Sequence, residues 1–346
     1  MLLTVCVYIA NGQPSADTLQ ERLYSVCDYA DNAIVKVYAQ KKIRVKDSNG
    51  NEKLLETLDV GSGFIIGKDG IVMTSAYVTH DAEKVWVAFN KAPFEASIVG
   101  FDPLTTLSIL KIKGGLKRKS STIINIDASS SLPKLGTMLV LLSSELGLPV
   151  SPRVGVASGH NIEFGGNFLP TVYLRTTIPA PRGATGGAVF DINGKFVGMV
   201  IASIPEMSGS FVLPARVVAK LRDDILNNGS PVYSWFGIRT EDSEFAEGVK
   251  IIVNFVAENS PAKRGGIKIG DEILEINSRK VSDNTQLRDI TFFVRPTERV
   301  SFKIKRNQKI MNIEVIADIM PSDIIGLAKS DLSKKIAKKK SNNLKK

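Results

Sequence analysis

From Asn32 to about Ala215 the chain is a succession of short apolar runs broken by Gly, Pro, Asn and Asp. The runs include "AIVKVYA" from 33, "GSGFIIG" from 61, "GIVMTSA" from 70, "KVWVAF" from 84 and "EASIVGF" from 95. "LSILKI" from 107, "TMLVLLS" from 137, "TVYLRTT" from 171 and "KFVGMVIAS" from 195 continue the series. Their β-branched content, alternation and regular spacing predict an all-β barrel or sandwich. "GKDG" (67–70) and "DING" (191–194) have the chemistry of tight turns.

The period changes in "PARVVAKLRDDILNNG" (214–229), where Val218, Leu221 and Ile225 share one helical face and Gly229 with Pro231 ends the helix. This helix reads as the link to a second domain. Residues 232–318 mix strands ("GVKIIVNFV", "VSFKIKR", "MNIEVIA") with a helical stretch, "NTQLRDITFFV", at 284–294. The sequence therefore divides into a β domain over 20–228, a small α+β domain over 232–318 and a Lys-rich, unstructured tail over 319–346.

Composition alters this picture only at the ends. The 346 residues carry a net charge of +10, but seven lysines and no acid occupy 334–346, so the rest carries only +3. A terminal charge run reads first as a solvated tail, and second as a contact for anionic lipid, nucleic acid or cell-wall polymer; no specific nucleic-acid recognition is expected. At the other end, "LLTVCVYIA" (2–10) followed by "NGQPSA" reads as the core and cleavage region of an export signal over 1–15, although no Lys or Arg precedes it. The competing reading is a buried N-terminal strand or a mis-set start. Nine such residues are too few to span a bilayer. Loss of the segment would leave Cys27 without Cys6, so no intrachain disulfide is expected. Two histidines and two distant cysteines give no metal-ligand spacing, and neither metal nor cofactor is expected.

Three segments in order resemble the HtrA (Deg) family of trypsin-like serine proteases, over roughly residues 25–318. "GSGFIIGKDGIVMTSAYVTH" (61–80) resembles the strand pair that delivers the family's histidine. "VGFDPLTTLSILKI" (99–112) resembles the segment with its aspartate, and "RTTIPAPRGATGGAVFDINGKFVGMV" (175–200) the segment with its serine. The resemblance implies a mostly β fold: a trypsin-like double β-barrel with the active site between the barrels. "SWFGI" (234–238) and "AENSPAKRGGIKIGDEILEINSRKV" (257–281) resemble a following PDZ module.

Residue by residue, the triad positions hold Tyr77, Thr106 and Thr185. A serine-type acyl transfer needs an imidazole to take the hydroxyl proton and a carboxylate to orient that ring. Tyrosine, with a pKa of about 10, is a poor base at neutral pH, and a threonine nucleophile works only with a base in contact. His80, one turn beyond Tyr77, is displaced by about 5 Å, and His160 reads as an exposed loop residue. Gly183, Gly186 and Gly187 remain, so the N–H groups of Gly183 and Thr185 either form an oxyanion pocket or belong to a turn kept for the fold. "PAPR" (179–182) departs from the family's I-N-P pattern.

The PDZ resemblance implies peptide binding by strand addition, with the N–H groups of Phe236, Gly237 and Ile238 meeting a terminal carboxylate beside Trp235. Leu287, Ile290 and Thr291 are expected to face the ligand; the alternative is that these apolar residues only cap a core. Three functions stay open: an inactive homologue binding unfolded or C-terminal peptides as chaperone, adaptor or regulator; an endopeptidase with a non-standard site; or a surface protein docked by its basic tail. The family resemblance further implies homotrimers, or mixed oligomers with an active paralogue, in an exported protein.

Overall fold

The computed structural model describes residues 16–46, 52–89, 92–116, 123–164, 167–245, 248–326, 330 and 332. The segment read as an export signal and the lysine cluster at 334–346 lie outside them. The chain begins with helix α1 (Ala16–Asp31). The strands β1 (Ile34–Lys46), β2 (Glu52–Ile65), β3 (Ile71–Ser75), β4 (Lys84–Phe89), β5 (Ala92–Phe101) and β6 (Leu107–Ile112) close a barrel in the order β1-β2-β3-β6-β5-β4. A one-turn helix, α2 (Ala76–Thr79), follows β3. A second closed barrel orders its strands β10-β11-β12-β9-β8-β7. It comprises β7 (Met138–Ser143), β8 (Ser151–Phe164), β9 (Asn167–Thr176), β10 (Ala188–Asp191), β11 (Phe196–Ile204) and β12 (Gly209–Pro214).

Alternation along the strands produces the barrels. Val37, Ile65, Val72, Val87 and Leu110 fill the first interior, and Leu139, Leu141, Leu174, Val189 and Val212 the second. Residues on the opposite strand faces, among them Phe64, Met73, Ile109, Phe190 and Met199, form a cluster shared by the two barrels. The turn at 67–70 closes with Gly70 N–H donating to Gly67 O, and that at 191–194 with Gly194 N–H donating to Asp191 O. Helix α3 (Ala215–Asn228) buries Val218, Leu221 and Ile225 and stops at Gly229, whose φ of 73° is left-handed.

The second unit has β13 (Ser234–Trp235), β14 (Ile238–Phe245), β15 (Gly248–Val256), α4 (Pro261–Gly265), β16 (Glu272–Ile276) and β17 (Arg279–Lys280). It continues with α5 (Asn284–Phe293), β18 (Arg299–Arg306), β19 (Lys309–Ile316) and β20 (Asp318–Ile319). Its sheet runs β14-β15-β16-β18-β19, so β14 is an edge strand, while β13 pairs with β20. Structure continues past 319: β20 pairs with β13, residues 322–326 are helical and Leu332 is buried. The expectation of an unstructured tail from 319 is corrected accordingly, because that stretch packs on the two domains.

One buried polar network fixes the linker. Asp102, fully buried in the β5–β6 turn, accepts hydrogen bonds from Leu104 N–H (3.1 Å), Thr105 N–H (3.0 Å) and the Thr105 hydroxyl. Tyr233, beyond α3, adds its phenol at 2.6 Å. Burial raises the pKa of the Asp102 carboxyl, and these donors work against that shift. Next to it, Lys220 pairs with Asp224 at 2.9 Å and donates to Val232 O at 2.8 Å. Its ammonium lies 5.3 Å from the Tyr233 ring centroid and 5.1 Å from that of Phe292 on α5. Arg295 reaches Asp224 and Arg216 reaches Asp289, so α3 is tied to the small domain by charge as well as packing. Tyr233→Phe removes one donor from a buried carboxylate and is expected to lower stability by about 1–3 kcal/mol in urea denaturation, without loss of the barrels' far-UV signature.

Candidate functional site

Thr185 sits in a glycine elbow held by both barrels. Gly183 and Gly186 have φ of +94° and +88°, conformations that a side chain resists. A Cβ on Gly186 would lie 2.2 Å from Ser62 O. Ser62, buried at the end of β2, clasps the elbow from the first barrel. Its N–H donates to Thr185 O at 3.3 Å and its hydroxyl to Gly183 O at 2.7 Å, while that hydroxyl accepts from Ser144 N–H at 2.8 Å. From the second barrel, Gly186 N–H donates to Val200 O at 2.8 Å. Among the described residues, no hydrogen bond engages the N–H of Gly183 or Thr185, or the Thr185 hydroxyl.

Tyr77 lies on α2, whose N-cap Ser75 accepts the Tyr77 N–H at 3.2 Å. Burial raises the phenol's pKa. Lys41, 1% exposed and not marked by any motif, pairs with Asp59 at 3.0 Å and donates to Tyr77 O at 3.2 Å. That lysine fixes the backbone of α2. His80 caps the helix end, and its ring stands 5.0 Å from that of Phe101 and 3.4 Å from an Asp81 carboxylate oxygen. Leu332, from the C-terminal segment, is buried against Ala76 with Tyr77 and Phe101 packed beside it.

Thr106 adopts φ of +63°, and its buried hydroxyl has no partner among the described residues. Asp and Asn adopt this left-handed backbone several-fold more readily than a β-branched residue, for which it is strained. Its carbonyl accepts Ala76 N–H at 2.6 Å, so the turn still bonds to the base of α2. His160 is not in a loop, contrary to the sequence reading. It lies within β8, half-buried, with Nε2 3.0 Å from Pro133 O. The Gly155- and Gly159-containing strand escaped notice because glycine and serine dilute its alternation.

A cavity of about 310 Å³ lies between β14 and α5, with Trp235, Phe236, Gly237, Ile238, Leu287 and Thr291 in its wall. Gly237 has φ of +75°, and a Cβ there would lie 2.2 Å from Ser260 Cβ. The carbonyls of Phe236 and Gly237 accept from Ala262 and Ala257 N–H groups. Their own N–H groups have no hydrogen-bond partner among the described residues. Phe236 also packs on Phe302, with ring centroids 5.5 Å apart, so it serves the core while its backbone faces the cavity. Ile290 does not line the cavity: it packs on the small domain's core, because the cavity face of α5 runs through Asn284, Leu287, Arg288 and Thr291.

Comparison with known proteins matches these two units to two family descriptions. Residues 61–199 match a trypsin-like peptidase domain and residues 234–316 a PDZ domain. The chain is 29% identical over 301 residues to serine endoprotease DegS of Haemophilus influenzae, covering 84% of this chain and 86% of that protein. The chain belongs to the HtrA family.

It is also 29% identical over 280 residues to a "Probable periplasmic serine endoprotease DegP-like" protein of Marinomonas sp., of which it spans 58%. The structure of HtrA-type protease AlgW with tripeptide shares the fold, with a TM-score of 0.69 over 86% of this chain at 22% identity. Within this HtrA architecture, the elbow, the α2 turn and the β5–β6 turn meet at the seam between the barrels. The buried Ser62 is the side chain whose removal tests that seam. Ser62→Ala strands the Ser144 N–H and is expected to cost about 1–3 kcal/mol. Gly186→Ala, which meets backbone rather than a movable side chain, is expected to be the more damaging of the two by thermal denaturation.

Proposed function

We propose that this HtrA homologue is catalytically degenerate and binds unfolded or C-terminal peptides through its PDZ domain, as a chaperone, adaptor or regulator in protein quality control. The observation that carries the reading is that no base contacts the Thr185 hydroxyl among the described residues. The neighbouring groups do not remedy this. Tyr77 keeps its proton at neutral pH, since burial raises a phenol pKa already near 10. His80 turns to Phe101 and Asp81, His160 bonds Pro133 O, and Thr106 offers no carboxylate to hold an imidazolium. An oxyanion-type pocket at the Gly183 and Thr185 N–H groups, without a base, retains only a residue of the family's rate enhancement.

Peptide capture rests on different atoms. The edge of β14 and the unengaged N–H groups of Phe236 and Gly237 suit an added strand ending in a carboxylate. The structure of HtrA-type protease AlgW with tripeptide and the periplasmic names of DegP-like relatives support peptide binding in the cell envelope. A mixed oligomer with an active relative gives the non-cleaving subunit a use, by contributing a further peptide groove. The lysine-rich tail supplies an additional contact for anionic surfaces.

Purified protein incubated with casein is expected to cleave it no faster than its Thr185→Ala variant. The pH profile adds a second check. A base of raised pKa is deprotonated only above its folded value, so any Tyr77-dependent turnover would emerge above about pH 10. Turnover between pH 6 and 9 is expected to stay at background in both proteins.

A further inference from the structure

We infer that the α2 turn carries a second peptide-binding seat, separate from the PDZ groove and built for one aliphatic side chain, which the chain's own C-terminal segment fills with Leu332. After β20, Met320 N–H donates to Tyr233 O at 2.9 Å, which anchors the segment at the start of the small domain. Residues 322–326 are helical, with Ser322, Asp323, Ile324 and Gly326 exposed. Farther along, Leu332 is 3% exposed against Ala76, with Tyr77 and Phe101 packed beside it, while Ser330 stays exposed. Among its described residues the segment thus lies on the surface and inserts a single side chain at α2. Ala76 and Leu332 form a cluster of their own, apart from both barrel interiors and from the core the barrels share. This is a docked contact on a finished domain, and Tyr77 and Phe101 remain partly exposed around it.

The seat is held without help from Leu332. Ala76 N–H donates to Thr106 O at 2.6 Å and His80 N–H to Ala76 O at 2.8 Å, while Lys41 Nζ donates to Tyr77 O at 3.2 Å. The Phe101 ring stands against that of His80, with centroids 5.0 Å apart. A site fixed in this way keeps its shape when emptied, so an incoming side chain meets little ordering cost. Its lining is a methyl group and two aromatic rings, which suits a leucine or isoleucine side chain. Leu332 competes for it from a tether anchored at Met320, and a tethered group acts at an effective concentration on the order of millimolar. Such an occupant weakens the apparent affinity of any peptide in trans by the fraction of time that the seat is empty. An unfolded polypeptide that binds at Tyr77 therefore displaces Leu332 first.

The test uses the full chain and a fluorescein-labelled peptide of residues 321–340, amidated at its C-terminus so that it offers the PDZ groove no carboxylate. Read by anisotropy, the Leu332→Ser chain is expected to bind this peptide at least about tenfold tighter than the wild-type chain does. The same peptide carrying Leu332→Ser keeps its charge and is expected to bind neither chain. Nitration of Tyr77 by tetranitromethane, located by peptide mass spectrometry, is expected to be faster in the Leu332→Ser chain and to slow again when the unaltered peptide is added. Leu332→Met refills the seat and is expected to restore wild-type values in both readouts. Equal affinity of the two chains for the unaltered peptide overturns the inference, as does equal affinity of the Leu332→Ser chain for the two peptides. Loss of cooperative unfolding in Leu332→Ser would make Leu332 a core residue and overturn it too. Because both peptides are amidated, none of these results bears on the groove.

Discussion

The seam between the two barrels depends on Ser62. A single buried residue at the end of β2 bonds the elbow at Thr185 O and Gly183 O, and the β7–β8 turn at Ser144 N–H. Thr74, on the neighbouring strand, donates its hydroxyl to Ser62 O at 2.7 Å. The elbow can stay left-handed at Gly183 and Gly186 because these bonds and the Val200 carbonyl determine its course from both sides. The position of the Thr185 elbow is set from this clasp. On the proposed reading, the scaffold of a hydrolytic site is kept here without the side chains that would operate it.

That separation has a physical logic. The elbow, the α2 turn and the Thr106 turn are held by backbone bonds, which do not depend on the triad side chains. Replacing an imidazole, a carboxylate and a serine hydroxyl leaves those bonds in place. Thr106 and Tyr77 carry local marks: a buried hydroxyl without a partner among the described residues, a β-branched residue with positive φ, and a phenol packed with Leu332. The small domain is joined through Tyr233, whose phenol meets Asp102 only four residues from Thr106 in sequence. That bond ties the start of the small domain to the β5–β6 turn that carries Thr106.

The strands with strong alternation, such as 84–89 and 107–112, were legible in the sequence, as was α3 with its glycine stop. So was the trypsin-like domain, which motif order located and the match over residues 61–199 supports. The helix at 16–31 carries Leu19, Leu23, Val26 and Ala30 on one face, a spacing not used in the sequence reading. β8 was hidden by glycines whose strand conformation comes from pairing with β7 and β9 rather than from local preference. Lys41 and Asp102 could not be found in this way. A buried charge becomes visible only when its distant partners, Tyr77 O or Tyr233, are brought beside it. The same holds for Ile290, which helical spacing put near the groove and packing turned to the core.

Attack by Thr185 would place an acyl or phosphonyl group on its oxygen, so that atom reports directly on whether anything removes its proton. Incubating the intact protein with a fluorophosphonate probe at neutral pH, followed by intact-mass and peptide-level mass spectrometry, reads this chemistry. The account predicts unmodified Thr185 after prolonged exposure, with an active serine protease labelled fully in the same tube. A stoichiometric adduct on the Thr185 hydroxyl, abolished by unfolding, would contradict it.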